Sequence, residues 1–216
     1  TGHHDVPPPK NVRIYHLAGT KHVPGTLPLT DLPLEDTRQQ HWSNTVDYRP
    51  ILRALLHSLE KWVRHDIDPP LTQIPKISDG SAVNRESLEP VFKNIPGMGF
   101  PIALPVRRRL AYGAKIDDGV AIYPAIEGEP FNTLVSAVDQ DGNEIAGIRH
   151  PDIQAPLGTH TGWTMRHNQM GGEGHFIPLQ GAVVPFPWTQ ETAQSSQDPR
   201  KAIEERYSSK TSYLAL

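Results

Sequence analysis

His22 is the strongest candidate for a catalytic residue, because of the segment that precedes it in the sequence. Residues 12–17 have the character of a short buried strand, and the small corner Ala18-Gly19-Thr20 turns the chain just before the imidazole. In many α/β hydrolytic sites the catalytic histidine lies on a loop after the last core strand, where it takes a proton from a nucleophile. A histidine after a strand is also a common surface residue. The pattern leaves two interpretations of His22, a general base and a corner residue.

A serine–histidine–acid site needs a nucleophile and an acid besides the base. The nucleophile motif G-x-S-x-G does not occur in the chain, and Asp5, the one carboxylate before the strand, fits a turn. In α/β hydrolases the chain order is serine, acid, histidine. A fragment that begins just before the last strand keeps the histidine and loses the other two. We therefore expect the nucleophile and the acid to lie upstream of Thr1, and this chain alone to be inactive.

Two other functions remain open on the residues alone. His160, His167 and His175 lie in a glycine-rich stretch and could meet around a metal ion, although no H-E-x-x-H motif supports such a site. The segment 160–167 places Trp163 between loops, where a large aromatic ring can be a pocket wall or part of a small satellite core. The alternatives are thus a metal-dependent enzyme and a non-catalytic binding module with an aromatic, Pro/Gly-rich surface.

The element that follows the histidine loop is an amphipathic helix within residues 45–66. Its apolar residues recur at i, i+3 and i+4 spacing, and charged residues fall largely on the other side. Pro50 fits the first turn, and the sequence DIDPP ends the helix. A strand, a loop and one long helix predict an α/β fold class.

The chain changes character beyond Pro70, where proline and glycine recur every few residues. The sequence predicts strands at 120–123, 133–138, 144–148 and 182–186. Asp141-Gly142 predicts a tight hairpin turn, and Asp198 with Pro199 predicts the start of a C-terminal helix. We divide the chain into 1–68, the C-terminal end of an α/β core, and 69–216, an irregular, strand-containing extension.

Composition and charge limit the classes of partner and of chemistry that the chain can have. The net charge is −3 with both signs mixed, which gives no electrostatic case for nucleic acid or for an anionic membrane. No run of residues is apolar and long enough for a membrane helix. The absence of cysteine excludes disulfides, thiolate catalysis and Cys-ligated metals. It does not identify the compartment, and a periplasmic or secreted protein remains open, since a signal peptide can be removed by processing.

Several segments, taken in order, resemble the C-terminal part of the large bacterial α/β-hydrolase domain-containing proteins. The segments are NVRIYHLAGTKH, DYRPILRALLHSLEKWV, SDGSAV, LVSAVDQDGNEIAGIRHPDIQAPLGTHTGW and DPRKAIEERYSSKTSYL. The resemblance covers nearly the whole chain. It departs from the family at Lys21, where the family usually carries glutamine, which alters the local charge beside His22.

The resemblance implies a partial α/β-hydrolase fold: last core strand, histidine loop, packing helix and a family-specific extension that could cover the active site. It implies that His22 is the triad base, and that the partner of this chain is the missing N-terminal part of the same protein. It implies an esterase-like serine hydrolase with a small ester-like substrate and no cofactor. It carries no catalytic duty over to any residue of 69–216.

Overall fold

The computed structural model describes residues 2–25, 39–102 and 106–216. Helices are α1 (Arg49–His65), α2 (Glu89–Lys93), α3 (Pro151–Gln154), α4 (Gln190–Ser196), α5 (Ile203–Arg206) and α6 (Lys210–Leu214). Strands are β1 (Trp42–Ser43), β2 (Ala82–Asn84), β3 (Arg108–Ala111), β4 (Ile126–Pro130), β5 (Leu134–Ser136), β6 (Gly158–Thr161), β7 (Thr164–Met165), β8 (Phe176–Ile177) and β9 (Ala182–Pro185). Helices and short strands mix along the chain, as the α/β class predicts.

The strands pair in small antiparallel sheets. The largest has three strands in the order β1-β9-β6, with Val183 opposite both Trp42 and His160. The pairs β2–β5, β3–β4 and β7–β8 form separate two-stranded sheets. The predicted strands at 133–138 and 182–186 are confirmed by β5 and β9. The extension therefore supplies most of the ordered β-structure among the described residues.

Helix α1 confirms the strongest sequence prediction. Pro50 lies in its first turn, and the helix ends at Asp66, whose left-handed φ of 55° reverses the chain. Arg64 and His65 occupy the last turn, where the helix dipole favours positive charge. None of its 17 residues is buried within the described chain. Among the described helices, none has the length and apolar run needed to cross a bilayer.

The predicted strand at 12–17 is not a continuous strand in the structure. The segment makes isolated parallel bridges, from Tyr15 to Gln73 and from Leu17 to Ile148. Gly147, the residue directly before Ile148, has a φ of +85°, which is not that of a strand. The pairing with Leu17 therefore cannot extend back through Gly147. Both bridges are parallel, but the regular strand that the sequence predicts does not form here.

Three further predictions need correction. Residues 120–123 form no strand. The Ile122 amide donates one hydrogen bond to the Tyr112 carbonyl, and Pro124, which has no amide hydrogen, then interrupts the pairing. Residues 144–148 carry only isolated bridges. The C-terminal helix begins at Ile203 rather than after Asp198. The Asp198 carboxylate accepts the Arg200 amide, as a helix cap would, and also the Arg200 guanidinium, but no helical turn follows it.

The hairpin turn is confirmed. Asp139 and Asn143 close it through a backbone hydrogen bond of 2.8 Å, and Gly142 takes the positive φ that the turn requires. A second backbone bond, from Ile145 to Ala137, continues the antiparallel pairing.

Two clusters of buried apolar side chains form the interior. One joins Ala18, Val46 and Ile153 behind the corner that precedes His22. The other joins Phe92, Ile95 and Met98, and Trp163 packs against it among other half-buried apolar residues. The corner and the aromatic cluster are the two parts of the fold that position the site.

Candidate functional site

The corner before His22 is fixed by hydrogen bonds from distant segments. The Gly19 amide donates to Glu144 Oε2 at 3.0 Å, and its carbonyl oxygen accepts from the buried Asn44 side chain at 2.6 Å. Gly19 has a φ of +60°, and a Cβ there would stand 2.9 Å from Ile153 Cδ1. Only glycine fits both the conformation and the space. The corner is therefore a built feature and not a loose turn.

His22 itself lies at the surface. Its side chain is exposed, and no described residue hydrogen-bonds to its imidazole. Its backbone carbonyl accepts from the Tyr48 hydroxyl at 2.5 Å, which holds the loop against the start of α1. The ring is thus accessible to a nucleophile and a substrate, while its local packing makes no structural use of it.

Two other ionisable residues, Lys21 and Asp5, make hydrogen bonds away from His22. Lys21 Nζ donates to Ser43 Oγ, and burial lowers the pKa of the Lys21 ammonium. Asp5 accepts the amides of Ile77 and Ser78 at 2.8 and 2.9 Å. Hydrogen bonding to Ser78 and Ile77 holds the pKa of Asp5 below its usual value. Asp5 is therefore a turn-binding carboxylate, as the sequence favoured, and does not contact the histidine loop.

Sequence reasoning missed an ion pair under the corner, between His16 and Glu144. His16 Nε2 and Glu144 Oε2 are 2.5 Å apart, and the same oxygen accepts the Gly19 amide. The hydrogen bond to Glu144 raises the pKa of His16 above its ordinary value, despite partial burial. The two residues are 128 positions apart, so no local pattern could have linked them.

The His16–Glu144 pair makes a pH-dependent contribution to stability. Because the folded pKa of His16 is raised above the ordinary value of 6.5, the contribution is complete below that value. It is lost as pH rises through the folded pKa. Glu144→Gln should remove roughly 1 kcal/mol or less at about pH 5.5, since the pair is partly exposed, and almost nothing at about pH 9. Urea unfolding at both pH values measures this.

Glu89→Gln is the matched control, because Glu89 is a partly exposed carboxylate on α2 that pairs with Lys93 at 2.6 Å, and lysine stays charged at both pH values. It should change the unfolding free energy equally at both pH values. A Glu144→Gln effect that does not depend on pH would contradict a charged pair with His16.

A cleft of about 190 Å³ opens beside the corner. Aromatic rings line much of it. Trp163 meets Phe92 edge-on at 5.1 Å and Phe100 at 6.1 Å between ring centroids. The other lining residues are Arg85, Leu88, Pro101, Val135, Ser136, Val138, Gly142, Glu144, His160, Thr161, Gly162 and Phe176. Trp163 is therefore both a pocket wall and part of a satellite core, the two roles that the sequence left open.

The cleft and the histidine corner share a wall. Glu144 lines the cleft and holds the Gly19 amide. A Cβ on Gly162, another lining residue, would stand 2.6 Å from the Thr20 carbonyl oxygen. His22 follows two residues after Thr20 and does not itself line the cleft. The shared wall therefore ends two residues before His22 along the chain.

The three histidines considered for a metal site do not form one. His160 is 5% exposed on β6, and burial lowers the pKa of its imidazole. His167 Nδ1 accepts the Gln169 amide, whereas the backbone of His175 pairs with Arg166. Across the described residues, no group of three or more histidine or acidic side chains is placed to hold a metal ion.

Comparison with known proteins gives one match. A family model described as an alpha/beta hydrolase domain matches residues 2–216. No curated protein and no solved structure matches the chain significantly. The match spans the corner, α1 and the whole extension.

Proposed function

The chain belongs to the alpha/beta hydrolase domain family, and on that premise we propose that it is the histidine-bearing part of a serine hydrolase acting on carboxylic esters. The observation that carries the proposal is the hydrogen-bonded corner Ala18-Gly19-Thr20, which shares a wall with a cleft and is followed two residues later by the exposed His22. G-x-S-x-G is absent from the chain, and the serine and the acid precede the histidine in α/β hydrolases, so the proposal places both upstream of Thr1.

In the proposed reaction His22 acts as general base and then as general acid. The upstream serine oxygen attacks the ester carbonyl, and His22 takes the hydroxyl proton as the bond forms. When the tetrahedral intermediate collapses, His22 returns that proton to the leaving alcohol. Water repeats the sequence on the acyl-enzyme, and an upstream Asp or Glu holds the imidazole tautomer. No cofactor takes part.

The exposed apolar face of α1 supports the proposal that an upstream part of the same protein packs against this chain. Its apolar side chains point outward: Leu56 is 67% and Val63 is 76% exposed, and Leu52 and Leu59 are also exposed. A contiguous apolar patch of this kind marks an interaction surface. We propose that the N-terminal, nucleophile-bearing part of the same protein covers it. Residues 1–68 then complete the hydrolase core as strand segment, histidine loop and packing helix, and 69–216 is the extension beside its active site.

A covalent label tests the proposal directly. The intact protein, incubated with an alkyl fluorophosphonate, should form a phosphonylated serine upstream of Thr1, because this probe reacts with activated serine nucleophiles. Mass spectrometry of the digested protein identifies the labelled residue. Loss of ester turnover should follow the same time course as labelling.

Labelling confined to this chain, or turnover that survives complete labelling, would overturn the serine-hydrolase proposal. The aromatic cleft would then favour the second candidate, a non-catalytic binding module. That module would retain ligand binding in the cleft and show no turnover.

A further inference from the structure

The aromatic cleft points to a substrate class. We propose that it holds a single uncharged aromatic ring carried by the ester substrate, on either its acyl or its alcohol side. The substrate part of this inference rests on the proposed function, whereas the binding of a ring to the cleft does not.

Volume and wall chemistry both fit one ring. The cleft encloses about 190 Å³. An apolar protein cavity of about 150 Å³ is known to bind benzene. Phe92 and Phe100 lie nearly parallel, at 19°, and Trp163 stands edge-on to both. A further ring can add to such a cluster in the edge-to-face geometry that aromatic groups prefer.

Most polar side chains of the wall are already engaged within the protein. Glu144 pairs with His16, and Arg85 donates to Glu86 at 2.9 Å. Ser136 and Thr161 donate their hydroxyls to backbone carbonyls. These groups offer little to a charged or strongly polar ligand, which would lose its hydration without compensation.

His160 is the exception, because its buried Nδ1 has no hydrogen-bond partner among the described residues. It lines the cleft, and burial lowers the pKa of its imidazole, so that the ring is neutral at neutral pH. The neutral imidazole can make one hydrogen bond but offers no counter-charge to a carboxylate, and the Glu144 carboxylate in the same wall repels one, so an uncharged ring is the preferred occupant.

The position of the cleft connects ring binding to the reaction. Gly19 and Thr20 lie against the cleft residues His160 and Gly162. A ring bound in the cleft therefore lies beside the histidine corner, and the proposed reaction requires the bond to be cleaved to reach from the ring towards the loop that carries His22.

Binding is tested first, with toluene and the intact protein. Toluene should shift the indole N–H resonance of Trp163, assigned by its loss in Trp163→Phe. Val138→Phe fills the cleft and should weaken toluene binding at least tenfold. Val120→Phe, the same change at a 56% exposed valine outside the cleft, should leave it unchanged. The absence of a Trp163 shift in the wild-type protein would overturn the inference, even if Val138→Phe fails to fold.

Turnover then separates this inference from the proposed function. Val138→Phe should raise KM for benzyl acetate or for methyl phenylacetate at least tenfold, and leave KM for ethyl acetate unchanged. The ester affected identifies the side of the substrate that carries the ring. If toluene binds and no ester is hydrolysed, the proposed function fails and the cleft stands. If esters are hydrolysed and Val138→Phe alters none of them selectively, the substrate inference fails and the hydrolase stands.

Discussion

His22→Ala is expected to lower kcat of the intact protein on ester substrates by about four orders of magnitude or more. Removing a triad member leaves only the rate that substrate binding and oxyanion stabilisation provide. Without the imidazole no group takes the serine proton during attack, and none returns it to the leaving alcohol. Steady-state hydrolysis of a chromogenic ester measures the loss.

The same substitution should leave the fold intact. The imidazole is exposed and no described residue hydrogen-bonds to it, so the free energy of unfolding should change by less than about 0.5 kcal/mol. His57→Ala, at an exposed histidine on α1, is the control and should retain full turnover. Near-normal hydrolysis by a folded His22→Ala protein would show that His22 is only a corner residue.

Asp198→Ala is expected to destabilise the protein by about 3–5 kcal/mol. The Asp198 and Arg200 side chains are 5% and 2% exposed, and their closest charged atoms are 2.6 Å apart. Breaking a buried pair by removing one partner leaves an uncompensated charge. Arg200 would keep its bonds to Thr159 and to the carbonyls of Val184 and Pro185 but would lose its counter-charge.

Urea unfolding of the two proteins measures this effect, and Asp68→Ala is the matched control. Asp68 pairs with Arg13 at 3.2 Å, but its side chain is 77% exposed. Its loss should therefore cost less than about 1 kcal/mol. Equal unfolding midpoints for Asp198→Ala and the wild-type protein would contradict a structural role for the buried pair.

Features encoded locally were predictable from the sequence. Helix α1 follows from apolar periodicity, Pro50 and the terminating DIDPP, all within some twenty neighbouring residues. The Asp141-Gly142 turn follows from the conformations that two residues can adopt. The segment 12–17 has the composition of a strand, yet its pairing depends on partners near residues 73 and 148, which no local pattern reveals.

The candidate site also has a part that was predictable from neighbouring residues and a part that was not. The order of corner, histidine and helix singled out His22 from neighbouring residues alone. The Glu144 contact, the cleft and its shared wall with the corner all require segments far apart in the chain. The role of Asp198 was also only partly local: an aspartate before a proline suits a helix start, but this carboxylate pairs with a buried guanidinium that packs against β6 and β9, which lie earlier in the chain.

The contact between Gly19 and Glu144 also limits how early the corner can fold during protein synthesis. The two residues are 125 positions apart, and ribosomes add about 5–20 residues per second. Roughly 6–25 s therefore pass between synthesis of the corner and synthesis of the carboxylate that holds it, whereas α1 can coil as soon as it leaves the ribosome. A nascent chain arrested before Glu144 would display His22 on an unfastened corner. Translation past that residue is thus the earliest moment at which the corner can be held as it is in the folded protein.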